Sequence, residues 1–320
     1  MNYNNFPKIE IDNKKLLYLG LALAAVLLVI LSLSVYFSRS IPGHDKSPVA
    51  TPPHDFLNGV NLEAKSVIVW DIKNQTVIYE KNADEKLPLA SIAKVMMALT
   101  AIELFPDNTV VNIDRRFLEE EGDTGLFANE KWRLKDLVDF ALVVSSNDAA
   151  AAIASLPSLQ QVDNHNLDLG RAEFIFKMNE GAKRIGLEQT SFYSENGLDT
   201  NGEVSGAYGS ARDVAKLFEF VLRNNPEILE ATKYSQVELL SLNNISHRLH
   251  NTNQISGSIP SLLASKTGFT DLSGGNLAIV FDPAIGRPVV IVVLGSTYDG
   301  RFTDVSELSN RILGLLSSQE

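Results

Sequence analysis

Residues 90–105 read ASIAKVMMALTAIELF, and the reading of this stretch decides the fold. Ile92, Val95, Met96, Leu99 and Ile102 are apolar, and Ala93, Met97, Ala98 and Ala101 leave no polar face between them. A helix that is apolar nearly all round packs in the interior. Lys94 is the only charge between Lys86 and Glu103, so one ammonium is carried into that interior. Ser91 lies one turn earlier on the same face. It falls in the first helical turn, where backbone N–H groups lack intrahelical partners and can hold a developing oxyanion. Burial disfavours the ammonium and lowers its pKa toward that of a usable base. The S-x-x-K spacing therefore offers a serine nucleophile with a lysine base.

Two further strings follow in order. Ser145-Ser146-Asn147 reads as a loop between two helical runs, with residue types that favour turns. Ser145 could relay a proton to a leaving group, and Asn147 could offer its amide to a peptide substrate. Helix capping alone would also explain these residues. Lys266-Thr267-Gly268 falls in the stretch 261–269, which with 276–281 and 288–294 is rich in β-branched and aliphatic residues. Turn residues at 271–275 and 282–287 separate the three, so they read as an antiparallel meander. Lys266 and Thr267 would bind a carboxylate, and the N–H of Phe269 would be a second oxyanion donor. Each string alone is weak; their order, wide spacing and contexts make the set specific.

With these residues in hand, the chain resembles a low-molecular-weight penicillin-binding protein of the D-alanyl-D-alanine carboxypeptidase family, the S11-type serine peptidases. The likeness runs over 58–315 and includes Met178-Asn179, Gly186-Leu187, Gly197-Leu198-Asp199, Ala211-Arg212-Asp213 and His250-Asn251-Thr252-Asn253. It departs at Ser146, where the family has glycine, and between Asp199 and Ala211, where the chain looks longer. The resemblance implies an α+β, β-lactamase/transpeptidase-like fold. Early strands at 64–71 and 76–80 would join the late ones in one antiparallel sheet flanked by helices, with a mainly helical lobe between. It implies that Ser91, Lys94 and Ser145 are catalytic and that Asn147, Lys266, Thr267, Gly268 and Phe269 bind substrate. That substrate is a peptidoglycan stem peptide ending in D-Ala-D-Ala, and β-lactam antibiotics are the expected inhibitors.

Composition sets the remaining bounds. The 320 residues are 45% hydrophobic and 21% charged, a globular balance, and the net charge of −11 argues against a nucleic-acid partner. There is no cysteine, which excludes disulfides and thiol nucleophiles. No cofactor and no metal are expected: His247 and His250 lack a metal-binding context. The uncharged apolar run 16–37, preceded by Lys14 and Lys15, reads as a transmembrane signal-anchor in the lipid bilayer. Residues 1–15 would then be a short cytoplasmic tail, 38–57 a flexible linker and 58–320 the catalytic domain. The expected place is the bacterial cytoplasmic membrane, single-pass, with the catalytic domain outside. The acidic run 119–123 reads as a solvated loop. Oligomeric state is not legible.

Three rivals remain. A class A β-lactamase carries an E-x-x-L-N string, and none occurs between Asn147 and Lys266. A D,D-endopeptidase acting on cross-linked peptides would share every motif. A non-catalytic β-lactam sensor would need a folded cytoplasmic region, for which 1–15 is too short.

Overall fold

The computed structural model of the protein describes Lys14 and residues 60–122, 125–159, 166–200 and 202–317. The chain divides into two units, Met1–Lys46 and Ser47–Glu320, and the architecture below is that of the second. The expected tail, membrane run and linker lie outside the described residues, apart from Lys14.

The centre of the second unit is a five-stranded sheet. Its strands are β1 (Ser66–Asp71), β2 (Thr76–Lys81), β3 (Leu262–Thr270), β4 (Gly274–Phe281) and β5 (Val289–Ser296). Their spatial order is β3-β4-β5-β1-β2, with every neighbouring pair antiparallel. The early hairpin closes onto the late meander through β1 and β5, with Ser66 opposite Leu294 and Asp71 opposite Val289. Alternate residues of each strand go to different cores. Val67, Val69, Leu277, Ile279, Ile291 and Val293 pack against Phe302, Val305, Leu308 and Ile312 of the C-terminal helix. Ile68, Ala278, Val280, Val290 and Val292 face the opposite core with the remaining helices. Both faces are thus covered, which is why these antiparallel strands read as nearly continuous hydrophobic runs.

The helices that frame the site are α1 (Ala93–Leu104), α2 (Leu134–Val143), α3 (Asn147–Ala154), α4 (Leu167–Ile185) and α5 (Ala211–Asn224). The C-terminal helix is α6 (Gly300–Ser317). Local chemistry sets their ends. Ser146, Asn166 and Ser210 cap α3, α4 and α5 by accepting backbone N–H groups, and Gly186 ends α4 in the left-handed conformation. Residues 93–101 of α1 are all buried, as the lack of a polar face required. The α-helix begins at Ala93 rather than at residue 90, because Ala90 has φ of +49° and residues 90–92 form a 3₁₀ turn. Short ribbons at 110–112 with 131–133, and at 236–240 with 246–250, were not legible in the sequence. Strands of three to five residues carry too few alternations to show a period.

The expected single-pass placement in the cytoplasmic membrane is corrected. Among the described residues, no helix is long and apolar enough to cross a membrane. The 19-residue α4 has the length but carries Asp168, Arg171, Glu173, Lys177, Glu180, Lys183 and Arg184, each costly in hydrocarbon.

The doubly covered sheet makes a stability prediction. Ile279 is fully buried in the core beneath α6. Ile279→Ala should lower the unfolding free energy by about 2–5 kcal/mol in urea titrations. A loss below ~1 kcal/mol would mean that this core is loosely packed.

Candidate active site

The sheet and the helical part meet at the turn 90–92, which carries Ser91. Strand β3, at the sheet edge, runs directly against this turn. A side chain at Gly268 would place its Cβ 2.7 Å from the Leu89 carbonyl and 3.3 Å from the Ser91 nitrogen, so only glycine permits the approach. On the other side Gly197, at φ of +81°, lies so close that a Cβ there would meet the Ala90 carbonyl at 2.0 Å. Asn276 of β4 closes the junction from below: its Nδ2 donates to the Pro88 carbonyl at 3.0 Å, and its Oδ1 accepts from the Gly295 N–H at 2.8 Å.

Lys94 is fully buried, and its Nζ is 2.9 Å from Ser91 Oγ. It also donates to Asn147 Oδ1 at 2.7 Å and to the Asn196 carbonyl at 3.0 Å. The amide of Asn147 is oriented by its other end, because Nδ2 donates to the Glu121 carbonyl at 2.7 Å. An amine in this setting can give its two N–H bonds to Asn147 Oδ1 and the Asn196 carbonyl, which only accept, and turn its lone pair to the Ser91 hydroxyl. Burial pushes the Lys94 pKa down to about 7, while Glu195 and Glu120 act in the opposite sense.

Lys266 is also buried, behind Ser145: its Nζ donates to Ser145 Oγ and to the Thr267 carbonyl, each at 2.9 Å. Its pKa is driven well below the ordinary lysine value by burial, then by the positive charges of Lys94 and Arg301. Ser145 sits at φ of +62°, a left-handed conformation that is unfavourable for serine, and it lines the cleft. Thr267 Oγ1 is 2.6 Å from Thr252 Oγ1.

Ser91, Ser145, Thr252, Thr267, Gly268, Phe269, Tyr298 and Arg301 line one cleft of about 300 Å³. Ser91, Lys94, Ser145, Asn147, Lys266, Thr267, Gly268 and Phe269, all expected from the three strings, thus come together at one place. The side chain of Lys266 points under Ser145, whereas the cation that lines the cleft is Arg301. Arg301 donates to the Gly268 carbonyl at 2.8 Å and stacks 4.4 Å from the Tyr298 ring. Phe269 and Tyr298 meet edge to face at 5.1 Å on the rim. Arg301, Asn196 and Thr252 were not expected. Thr252 falls in the string His250-Asn251-Thr252-Asn253 that contributes to the family resemblance, and nothing local marks Arg301.

The acidic run also differs from expectation. Glu119 and Glu121 are exposed, but Glu120 is half-buried and pairs with Arg171 at 2.8 Å, and the Glu121 backbone carbonyl holds Asn147, so the run also borders the site. Among the described residues no cluster of histidine, cysteine and carboxylate side chains could hold a metal ion.

Residues 50–297 match the D-alanyl-D-alanine carboxypeptidase family of serine peptidases. The chain belongs to that family. The family member DacF of Bacillus subtilis is 27% identical over 252 residues, 77% of this chain and 61% of its own length. A D-alanyl-D-alanine endopeptidase of Escherichia coli is 26% identical over 261 residues, 78% of this chain and 76% of its own. The chain thus spans less than two thirds of DacF. Among solved structures, penicillin-binding protein D2 of Listeria monocytogenes in its ampicillin-bound form superposes with a TM-score of 0.64 at 27% identity, covering 79% of this chain and 98% of that one. The Streptomyces K15 DD-transpeptidase superposes at 0.70 with 22% identity, over 79% of this chain and 97% of that one, and shows the same fold. Membership of the family agrees with the α+β penicillin-binding fold described above.

The buried lysine ties stability to pH. From about pH 7 to pH 10.5 the unfolded chain holds a proton on Lys94 that the folded chain has shed, so folding stability from this residue rises with pH across that window. Lys94→Met removes that dependence. In urea titrations at about pH 7 and about pH 9.5, the stability difference should shift toward wild type at the higher pH. An unchanged difference would mean that Lys94 titrates as an ordinary lysine.

Proposed function

We propose that this chain is a serine-type D-Ala-D-Ala carboxypeptidase that removes the terminal D-alanine from peptidoglycan stem peptides, with 58–320 as its catalytic domain. The observation that carries this reading is the placement of a fully buried Lys94 amine, with a pKa near 7, within 2.9 Å of the Ser91 hydroxyl. Ser91 Oγ attacks the carbonyl between the two D-alanines while its proton passes to Lys94 Nζ. The N–H groups of Ser91 and Phe269 receive the oxyanion. Lys94 passes that proton through the Ser145 hydroxyl, which Lys266 orients, to the departing amine, and free D-alanine leaves. Water then attacks the ester, releasing the shortened peptide and restoring the Ser91 hydroxyl. Asn147 holds the Lys94 amine and faces the peptide backbone of the substrate. Thr267 and Arg301 receive the terminal carboxylate, a guanidinium being suited to that partner, while Lys266 acts by orienting Ser145.

Penicillins, which present a carboxylate and a strained amide in the same relation, acylate Ser91 on this reading, in keeping with the ampicillin-bound form of the Listeria relative. A second reading, cleavage of cross-linked peptides, draws support from the endopeptidase relative, which the chain covers to 76% of its length against 61% for DacF.

Monomeric and cross-linked pentapeptide muropeptides, incubated with the protein and followed by mass spectrometry, separate the two. Loss of one alanine from the monomer supports the carboxypeptidase, and splitting of the dimer supports the endopeptidase. Ser91→Ala should abolish turnover and penicillin labelling alike; labelling that survives would overturn the assignment. The acylation rate should fall as pH drops below about 7, where Lys94 takes up its proton.

A further inference from the structure

We propose that Arg171 is a positioning residue for the reaction, clamping Glu120 and Glu195 so that the carbonyls of the next residues, Glu121 and Asn196, hold Asn147 and Lys94 in place. The inference rests on the peptidase reading above and adds a group to it that none of the three strings contains.

The geometry is specific. Arg171, in the first part of α4, reaches Glu120 Oε1 with Nη1 at 2.8 Å and Glu195 Oε1 with Nη2 at 2.6 Å. The two carboxylates belong to separate segments, one following the 3₁₀ turn Arg115–Glu119 and the other preceding Gly197. Each is one residue from a backbone carbonyl that the site uses. The Glu121 carbonyl accepts from Asn147 Nδ2 at 2.7 Å, which turns Oδ1 toward Lys94. The Asn196 carbonyl accepts from Lys94 Nζ at 3.0 Å. One guanidinium thus ties together the two acceptors that fix the amine. Asn196 Nδ2 to Glu120 Oε2, at 3.5 Å, completes the ring.

Burial makes the clamp consequential. Glu195 is fully buried, and a buried carboxylate without a cation is strongly unfavourable. Lysine cannot replace arginine here, because a point charge on a flexible stem cannot span two carboxylates in the planar fork that guanidinium offers. The clamp also places charge near the base. The charged groups that act on Lys94 are Glu195 and Glu120, which favour its ammonium, and Lys266, which opposes it from β3; Arg171 partly offsets the two carboxylates.

The test is the rate of acylation by a fluorescent penicillin as a function of pH, in wild type, Arg171→Lys and Glu195→Gln. Arg171→Lys keeps the charge and loses the bridge, so its plateau rate should fall about tenfold or more. Glu195→Gln keeps an oxygen for Arg171 but removes a negative charge beside Lys94, so the acid limb should move about one unit to lower pH. A residue that served the fold alone would not move that limb. Wild-type rates with an unmoved limb in both variants overturn the clamp; an unchanged limb in Glu195→Gln alone overturns it even where Arg171→Lys is too unstable to assay. If wild type itself is not labelled, the peptidase reading fails, a result distinct from labelled variants that behave like wild type.

Discussion

A primary amine enclosed on every side is the constraint on which this site depends. Lys94 comes from a helix with no polar face, so its nitrogen cannot reach water and must find its partners inside the protein. Taking an ammonium out of water costs several kcal/mol unless acceptors replace the hydration. Two oxygens that can only accept, Asn147 Oδ1 and the Asn196 carbonyl, satisfy two N–H bonds and leave the third direction to the Ser91 hydroxyl. With burial lowering the pKa to about 7, that third direction carries a lone pair in a large share of molecules at neutral pH. The same burial that costs stability makes the amine a base.

A second enclosed lysine sharpens the effect. Lys266 and Lys94 lie near enough for each positive charge to oppose the other, and Arg301 adds a third. Of the three, only arginine keeps its charge under all working conditions. Arg301 is stabilised in its buried place by the Gly268 carbonyl and by the rings of Tyr298 and Phe302, at 4.4 and 4.7 Å. The permanent cation is therefore on the cleft wall, while the two titratable amines stand behind serine hydroxyls. On the proposed reading, separating the roles in this way would let the cleft attract a carboxylate without holding the amines in their protonated state.

Much of this was readable in the chain because it has local signatures. The period of three between Ser91 and Lys94, the nearly all-round apolar character of 90–102 and the β-branched runs after residue 261 each have a direct physical meaning at short range. The early strand β1 was readable too, although its partner β5 lies more than two hundred residues away, because both strands are buried on both faces and show it in composition. What escaped was long-range and ionic. Arg171, Glu120 and Glu195 come from three segments, and nothing around any of them marks a partner. The run 119–123 looks solvated because charge runs usually are, and only the fold brings Arg171 to Glu120. Nothing around Arg301 marks its partner either, because only the fold brings the Gly268 carbonyl to it.

The fold has also concentrated its unfavourable features at one junction. Ala90 and Ser145 hold left-handed backbone conformations, Lys94 and Lys266 are enclosed, and Gly268 and Gly197 let two segments press on the turn that carries Ser91. None of these helps the chain to fold. They persist because the elements around them cannot yield. On one side stands a sheet buried on both faces, pinned to α6 through Asp304, which accepts from the Glu63 and Ala64 N–H groups and the Ser296 hydroxyl. On the other stands a helix with no exposed face for most of its length. A turn caught between two such bodies has little room to move, which on the proposed reading leaves little to reorganise when an oxyanion forms.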